Sequence, residues 1–424
     1  MSLHQWISDT VRHGRFEHSR LSRVGSAGRS LIISYIMLNI AEPLLGIFSH
    51  AYLWQRSNGL SLIVVYDSSS FLGLVAGFYV GAFLVGRYNV EFVYISGCSS
   101  MGFSILALTL IGDTNIVVLA ILGMCFGLSS TLFWASRRFL VISHVAPTHR
   151  FYFTHCEGIV GVVLAVIVPP VIGWCVVVSR AFFPLYTVYV VIGLLAFTVL
   201  GAAGYSVRRL RTPIQPIVSL RIRTPSARWW SCRWVSLWMG VSMGITLFVP
   251  VVLTLTLVGN EGALGTIQAG IAVVSAAVLY WIGRQVKKDI RKHVFSISAI
   301  LSVSAALVLL LDYDICGAIG YLGLSGLAFA CTLATYNHIQ YENIEFEEGR
   351  SGMHRYAYLL DQEIFLVIGR FSGLAPICIA YALGGLGGML RTAAIVCAAA
   401  SVALWSTYRR LSAPQQSLKM SSRN

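Results

Sequence analysis

Charge is what this sequence lacks most. Only 11% of its 424 residues are Asp, Glu, Lys or Arg, against roughly 25% in soluble globular domains. So few charged groups cannot coat a water-facing surface, which excludes a soluble enzyme, a disordered chain and a secreted disulfide scaffold. Acidic residues are the scarcer kind, 17 against 31 basic ones, for a formal net charge of +14. In a soluble protein that excess would point to nucleic acid. Here 56% of the residues are hydrophobic and the mean hydropathy is +0.74, so a membrane comes first and no nucleic-acid partner is expected. Paired cysteines are missing too. The nine cysteines are spread singly with no CxxC, which indicates neither a zinc site nor a disulfide framework. There is no G-x-x-x-x-G-K-[ST] and no H-E-x-x-H. A nucleotide-driven pump and a membrane metalloprotease therefore lack support, and no enzyme activity, cofactor or resident metal is expected.

What the chain has in abundance is long apolar runs. A membrane-spanning helix needs about 20 mostly apolar residues. Twelve stretches meet that need: 31–54, 61–86, 90–112, 116–136, 158–178 and 185–207, then 234–258, 264–283, 294–311, 315–337, 356–383 and 392–408. They are too long and too unalternating for barrel strands. The first 30 residues are polar and Arg-rich, with Leu3, Trp6, Ile7 and Val11 at helical spacing. They suit a cytosolic tail or a short interfacial helix and show no cleavable signal pattern.

The basic residues fix an orientation. With the N-terminus in the cytoplasm, every Lys and Arg falls in a cytoplasmic segment except Arg56, Arg180, Arg391 and Arg370. That asymmetry is the positive-inside pattern. It predicts a multi-pass protein with both termini cytoplasmic, in the inner membrane of a bacterium. The lipid bilayer is its first partner, and a monomer is expected.

The polar stretch 208–233 holds three prolines and seven arginines and divides the spans six and six. It reads as a basic linker. The expected organisation is a tail (1–30), a first bundle (31–207), the linker (208–233), a second bundle (234–408) and a C-terminal tail (409–424). A weak repeat supports the division. Glu157 is followed thirteen residues on by Pro170, and Glu363 thirteen residues on by Pro376.

Six plus six spans, termini on one side and a basic central loop resemble the major facilitator superfamily. After the second span, Gly81, Gly86 and Arg87 match that family's loop, but its Asp is missing. After the eighth, Gly283 and a basic cluster stand without the usual spacing. The stretch FWASRRFLVISHVAPTHRFYFTHCEG is similar to a bacterial branch called YqgE-like. The resemblance implies an all-α polytopic membrane protein, with twelve transmembrane helices in two six-helix pseudo-symmetric bundles that rock around a midplane site.

Charges inside the spans are the residues to explain, since each costs about 2.5–3.5 kcal/mol at a helix centre even on the lenient scale. Glu42 lies mid-span beside Pro43, with Asn39 a turn earlier. It is the candidate proton- or cation-binding group. Arg370 cannot deprotonate and needs a partner, either Glu363 on its own helix face or Glu42 across the bundles. Trp134, Trp238 and Tyr336 are candidate lining residues for a small organic solute. Arg137, Arg138, Glu157, Asp361 and Glu363, near the cytoplasmic ends, suit gating ion pairs. Asp67, followed by three serines, suits a hydrated outer vestibule. Glu342, Glu345, Glu347 and Glu348 read as a solvated loop paired with Arg350 and Arg355.

The leading expectation is a secondary transporter of a small solute, driven by a proton or substrate gradient. The alternatives are transport of a metal cation such as iron, or a transporter-shaped sensor or assembly protein. The missing loop Asp motivates the last.

Overall fold

A computed structural model describes residues 25–57, 59–111, 115–212, 220, 222, 224–284 and 290–412. The possible interfacial helix before residue 25 and the tail beyond 412 lie outside them. The described residues are helical almost throughout. This follows from the composition, because in lipid every backbone N–H and C=O must be satisfied within the segment. The helices are α1 (Gly25–Leu45), α2 (Ile47–Ser57), α3 (Ser61–Val85), α4 (Val90–Ile111), α5 (Ile116–His144), α6 (Pro147–Ser179) and α7 (Leu185–Val207). After the linker come α8 (Ala227–Thr246), α9 (Val249–Leu257), α10 (Glu261–Arg284), α11 (Ile290–Leu311), α12 (Ile315–Ser351) and α13 (Arg355–Ser412).

Local chemistry sets several of the ends. Asn115, Ser226 and Asp314 cap α5, α8 and α12 by accepting from the backbone N–H of Val117, Trp229 and Gly317 at 2.9, 3.0 and 2.7 Å. A side-chain oxygen there satisfies one of the orphan donors of a first turn. Gly352 ends α12 with a φ of 66°, in the left-handed region.

Eleven described helical segments are long and apolar enough to cross a membrane. Two differ from the sequence expectation in an informative way. The first span, Gly25–Arg56, is irregular at one residue: α1 and α2 meet at Gly46, three residues after Pro43. The last is a 58-residue helix, α13, where two spans separated by a loop were expected. It is not one straight rod but two helical stretches that meet at a single residue. Gly385, with φ 61° and ψ −155°, interrupts its helical geometry. The acidic run 342–348 is also not a loop. It forms the last turns of α12, since nothing before Gly352 terminates the helix.

Small residues bring the helices together, as expected where lipid tails supply no hydrophobic drive for association. A Cβ on Gly127 of α5 would lie 2.0 Å from the Ser70 carbonyl oxygen of α3, and one on Gly369 of α13 would lie 2.0 Å from that of Leu237 on α8. Both contacts are with backbone, which cannot give way cheaply. Gly127→Val is therefore expected to destabilise the protein by roughly 3 kcal/mol, the upper range for overpacking. A lowered melting midpoint in detergent checks this.

The helices before and after the linker touch along two main seams, α6 on α10 and α3 on α13, with α2 also meeting α9. Because spans alternate in direction, the turns at 86–89, 145–146 and 352–354 share one end of the molecule with the linker. We call it the basic end. The bends at 59–60, 180–184, 258–260 and 312–314 share the opposite end.

Candidate functional site

Tyr35, Asn39 and Glu42 follow one another on α1 at i, i+4 and i+7, so they share a helix face. Asn39 donates to the Tyr35 carbonyl at 2.7 Å. A Cβ on Gly161 of α6 would meet Asn39 Oδ1 and the Tyr35 hydroxyl at 3.4 Å, so this face looks toward α6. Arg137 of α5 lies over the Tyr35 ring at 4.5 Å and pairs with Glu157 of α6. Two of the expected gating residues thus pair with each other, on neighbouring helices before the linker.

Glu42 is different. Its side chain is exposed, and its carboxylate makes no hydrogen bond or ion pair among the described residues. This carboxylate stands at mid-span on the helix face that carries Tyr35 and Asn39. Arg370 does not reach it. Arg370 is buried, pairs with Glu363 at 2.7 Å, and lies 5.3 Å from the centre of the Phe71 ring of α3. Of the two partners open to Arg370, the structure chooses the one on its own helix. Seven residues are two turns, which long side chains leaning toward each other can bridge.

The remaining candidates spread out. Asp361 pairs with Arg233 at 2.7 Å and accepts from Trp229 Nε1 at 2.7 Å, tying α13 to α8. Arg138 lies 5.7 Å from the Tyr341 ring of α12. Tyr336 is engaged in a bridge, accepting from Gln362 at 2.7 Å with Ser236 at 3.1 Å. Trp238 packs between two apolar clusters. Trp134 is exposed, edge-on to Phe133. Glu347 pairs with Arg350 at 2.7 Å and Glu348 with Arg355 at 3.1 Å, the partners expected for the acidic run.

Contacts across the seams join the two sets of helices at both ends. At the basic end the Tyr356 hydroxyl of α13 donates to the Phe78 carbonyl of α3 at 2.8 Å. His354 stacks on Phe139 of α5 at 6.0 Å, and burial there pushes its imidazole below the usual histidine range. At the opposite end Glu261, 0% exposed at the start of α10, gathers three partners. Arg180 pairs with it at 3.1 Å, the Tyr189 hydroxyl donates at 3.1 Å, and the Gln55 amide donates as well. Arg180 also donates to Gln55 Oε1 at 2.6 Å. This latch was absent from the sequence reading. Its one visible signal was Arg180, an arginine on the side that collects almost none.

No protein-family model matches the chain. A Bacillus subtilis (strain 168) protein described as uncharacterized protein YqgE is 23% identical over 329 residues, covering 76% of this chain and 75% of its own. It supports the YqgE-like resemblance weakly. Solved structures speak to the fold. The major facilitator superfamily transporter FucP, in the outward conformation, superposes with a TM-score of 0.59 at 11% identity, covering 92% of this chain and 100% of its own. A bacterial homologue of the iron transporter ferroportin, outward-facing, gives 0.57 at 16%, covering 91% and 99%. A bacterial metal transporter gives 0.57 at 15%, covering 91% and 98%. The chain is a multi-pass membrane protein with the major-facilitator fold.

Proposed function

We propose that this protein is a secondary active transporter of a small solute, working by alternating access with Glu42 as its proton- or cation-binding group. The observation that carries the reading is Glu42 itself, an unpartnered carboxylate at mid-span in a fold that transporters use. A group with so large a desolvation cost and no internal partner has its use in binding something mobile.

The architecture we propose has twelve spans in two six-helix bundles, 31–207 and 234–408, joined by the basic segment 208–233. The break at Gly385 supports counting α13 as two spans. The seams support the two-bundle symmetry, because the fifth span meets the eighth and the second meets the eleventh. Exchanging the halves exchanges those pairs. The positive-inside pattern supports cytoplasmic termini in a bacterial inner membrane. Ion pairs Arg137–Glu157 and Arg233–Asp361 brace the basic end within each bundle, and the Glu261 latch fastens the opposite end between them.

A second reading, transport of a metal cation, draws on the two metal-transporter likenesses. Among the described residues no three His, Cys, Asp or Glu side chains are grouped so as to hold a metal ion, and we place an organic solute first. The test is a flux screen in proteoliposomes under an imposed pH gradient, using organic cations, sugars, amino acids and radioactive Fe²⁺ or Mn²⁺. Saturable flux of one class names the substrate. No flux of any class, with folded protein, would favour the sensor role.

Arg370 offers a separate check. Arg370→Gln leaves the half-buried Glu363 without its cation and is expected to cost roughly 3 kcal/mol of stability, the lower range for breaking such a pair. Arg370→Gln with Glu363→Gln should recover most of it, as thermal melts in a double-mutant cycle would show. If the double variant also regains flux, the pair is a brace; if only stability returns, the pair meets the solute.

A further inference from the structure

Eight residues beyond Glu42, about 12 Å along the chain axis, the structure places a second protonatable pair. His50 of α2 and Asp67 of α3 are each 3% exposed. His50 Nε2 lies 2.9 and 3.1 Å from the two Asp67 oxygens. His50 Nδ1 lies 2.6 Å from the carbonyl oxygen of Gly46, the residue that joins α1 to α2.

These contacts count protons. A carbonyl oxygen only accepts, so Nδ1 must carry a hydrogen. In a neutral imidazole the other nitrogen, Nε2, is then a bare lone pair. It would face a carboxylate that is also acceptor-only, and no hydrogen bond could form. The other neutral tautomer satisfies Asp67 but sets a bare Nδ1 against the Gly46 oxygen. Both contacts are satisfied together only when the pair holds one more proton, as imidazolium with carboxylate or as imidazole with carboxylic acid. The loaded pair has net charge zero, and the unloaded pair has net charge −1.

The site is coupled to a joint. The Gly46 N–H donates to the Glu42 carbonyl at 3.0 Å, and the Gly46 carbonyl accepts from the His50 N–H at 3.2 Å and from the Ser49 hydroxyl at 2.9 Å. Pro43 brings no N–H to this turn. The His50 ring thus fastens α2 both to the α1 joint and to α3. Other titratable groups on the packed elements are few. Glu42 comes from α1, and the Tyr66 hydroxyl of α3, beside Asp67, has no hydrogen-bond partner among the described residues. From α2 itself come Tyr52 and Arg56, and one turn further along α2 the Tyr52 ring meets Tyr189 of α7 at 5.1 Å and Gln55 meets the Glu261–Arg180 pair. α9 has no titratable side chain, and α5 presents Gly123 and Phe126 at this level. α4 carries its Glu91, Tyr94 and Cys98 toward the basic end, and α13 presents Arg370 and Glu363 further along α3.

We propose that His50 and Asp67 form a proton-binding site that is loaded while the opposite end is closed, and that releasing its proton loosens the α1–α2 joint. The loosening is a step in alternating access, so the inference rests on the transport reading. On release, the proton leaves to water at the opposite end, and one of the two ring contacts breaks.

The test uses full-length protein in detergent and two variants. Asp67→Asn puts an amide N–H opposite Nε2, reproducing the loaded hydrogen-bond pattern without a titratable proton. His50→Gln, whose amide can donate to Asp67, is the second variant should the first not fold. Between about pH 6 and about pH 9, native protein should release about one proton more than either variant. Over the same range, amide exchange in residues 46–57, corrected for the intrinsic effect of pH, should rise about tenfold in native protein and stay level in Asp67→Asn. Equal proton release by all three proteins, or an equal rise in exchange, overturns the assignment. Solute flux measured alongside separates the two ideas. Flux without the extra proton removes this site and keeps the transporter; the extra proton in a protein that moves no solute removes the transporter reading.

Discussion

Replacing Glu42 with Gln should lower gradient-driven solute flux in proteoliposomes by about a hundredfold or more, the lower range for losing a positioned proton-transfer group. The substitution keeps the size and hydrogen-bonding shape of the side chain and removes its charge. Because the native carboxylate has no partner to orphan, and because a neutral amide costs less in a membrane than a carboxylate, the variant should fold at least as well as the native protein. A melting midpoint equal to or above the native one, together with lost flux, is the expected pair of results. Flux that persists with its pH dependence intact would sink the role assigned to Glu42. Counterflow with no pH gradient sharpens the test: a variant that still exchanges solute but no longer accumulates it has lost coupling, not binding.

Arg180→Ala should have the second largest effect, and in the opposite sense for stability. Glu261 is fully buried, and Arg180 is its paired cation. Removing one partner of a buried pair typically costs about 3–5 kcal/mol. The Arg180 side chain is 35% exposed, so solvent already screens part of the interaction and roughly 2 kcal/mol is the expected loss. The loss falls on the closed arrangement of the opposite end, because the latch joins helices from before and after the linker. The measurable consequence is faster labelling of a cysteine placed at Ala263, half-buried two residues after Glu261. Glu261→Gln should open the same end less, since its amide oxygen can still accept from Arg180 and Tyr189. Equal labelling in native and Arg180→Ala protein would show that the latch does not hold this end.

Much of this was legible from residues alone, for a physical reason. A bilayer imposes a single strong rule on each span, about 20 apolar residues with every backbone group satisfied locally. Hydropathy therefore revealed the helices, and loop charge their expected orientation, without tertiary information. Glu42 and Arg370 stood out by the same rule, because each breaks it. Places where the spans bend were less visible. Pro43 announced a disturbance in the first span, but the joint itself falls on Gly46. The Gly385 break took the place of a longer loop, because a glycine at positive φ lets the backbone turn at a single residue between two helical stretches.

Which charges meet was decided by tertiary structure. Arg370 had two carboxylates open to it, and only packing of α13 on α3 and α8 gave it Glu363. His50 lay in an apolar stretch where one histidine carries no signal, and Asp67 read as a vestibule residue. The contact of α2 with α3 brings them together. Glu261 and Arg180 are 81 positions apart, and nothing in either neighbourhood names the other. The sequence by itself determined a basic, many-spanned membrane protein with a costly carboxylate at the centre of its first span. The folded chain decided which charges are neutralised, which end each latch closes, and that Glu42 is left free. Pairing depends on distances across the bundle, which local hydropathy does not encode.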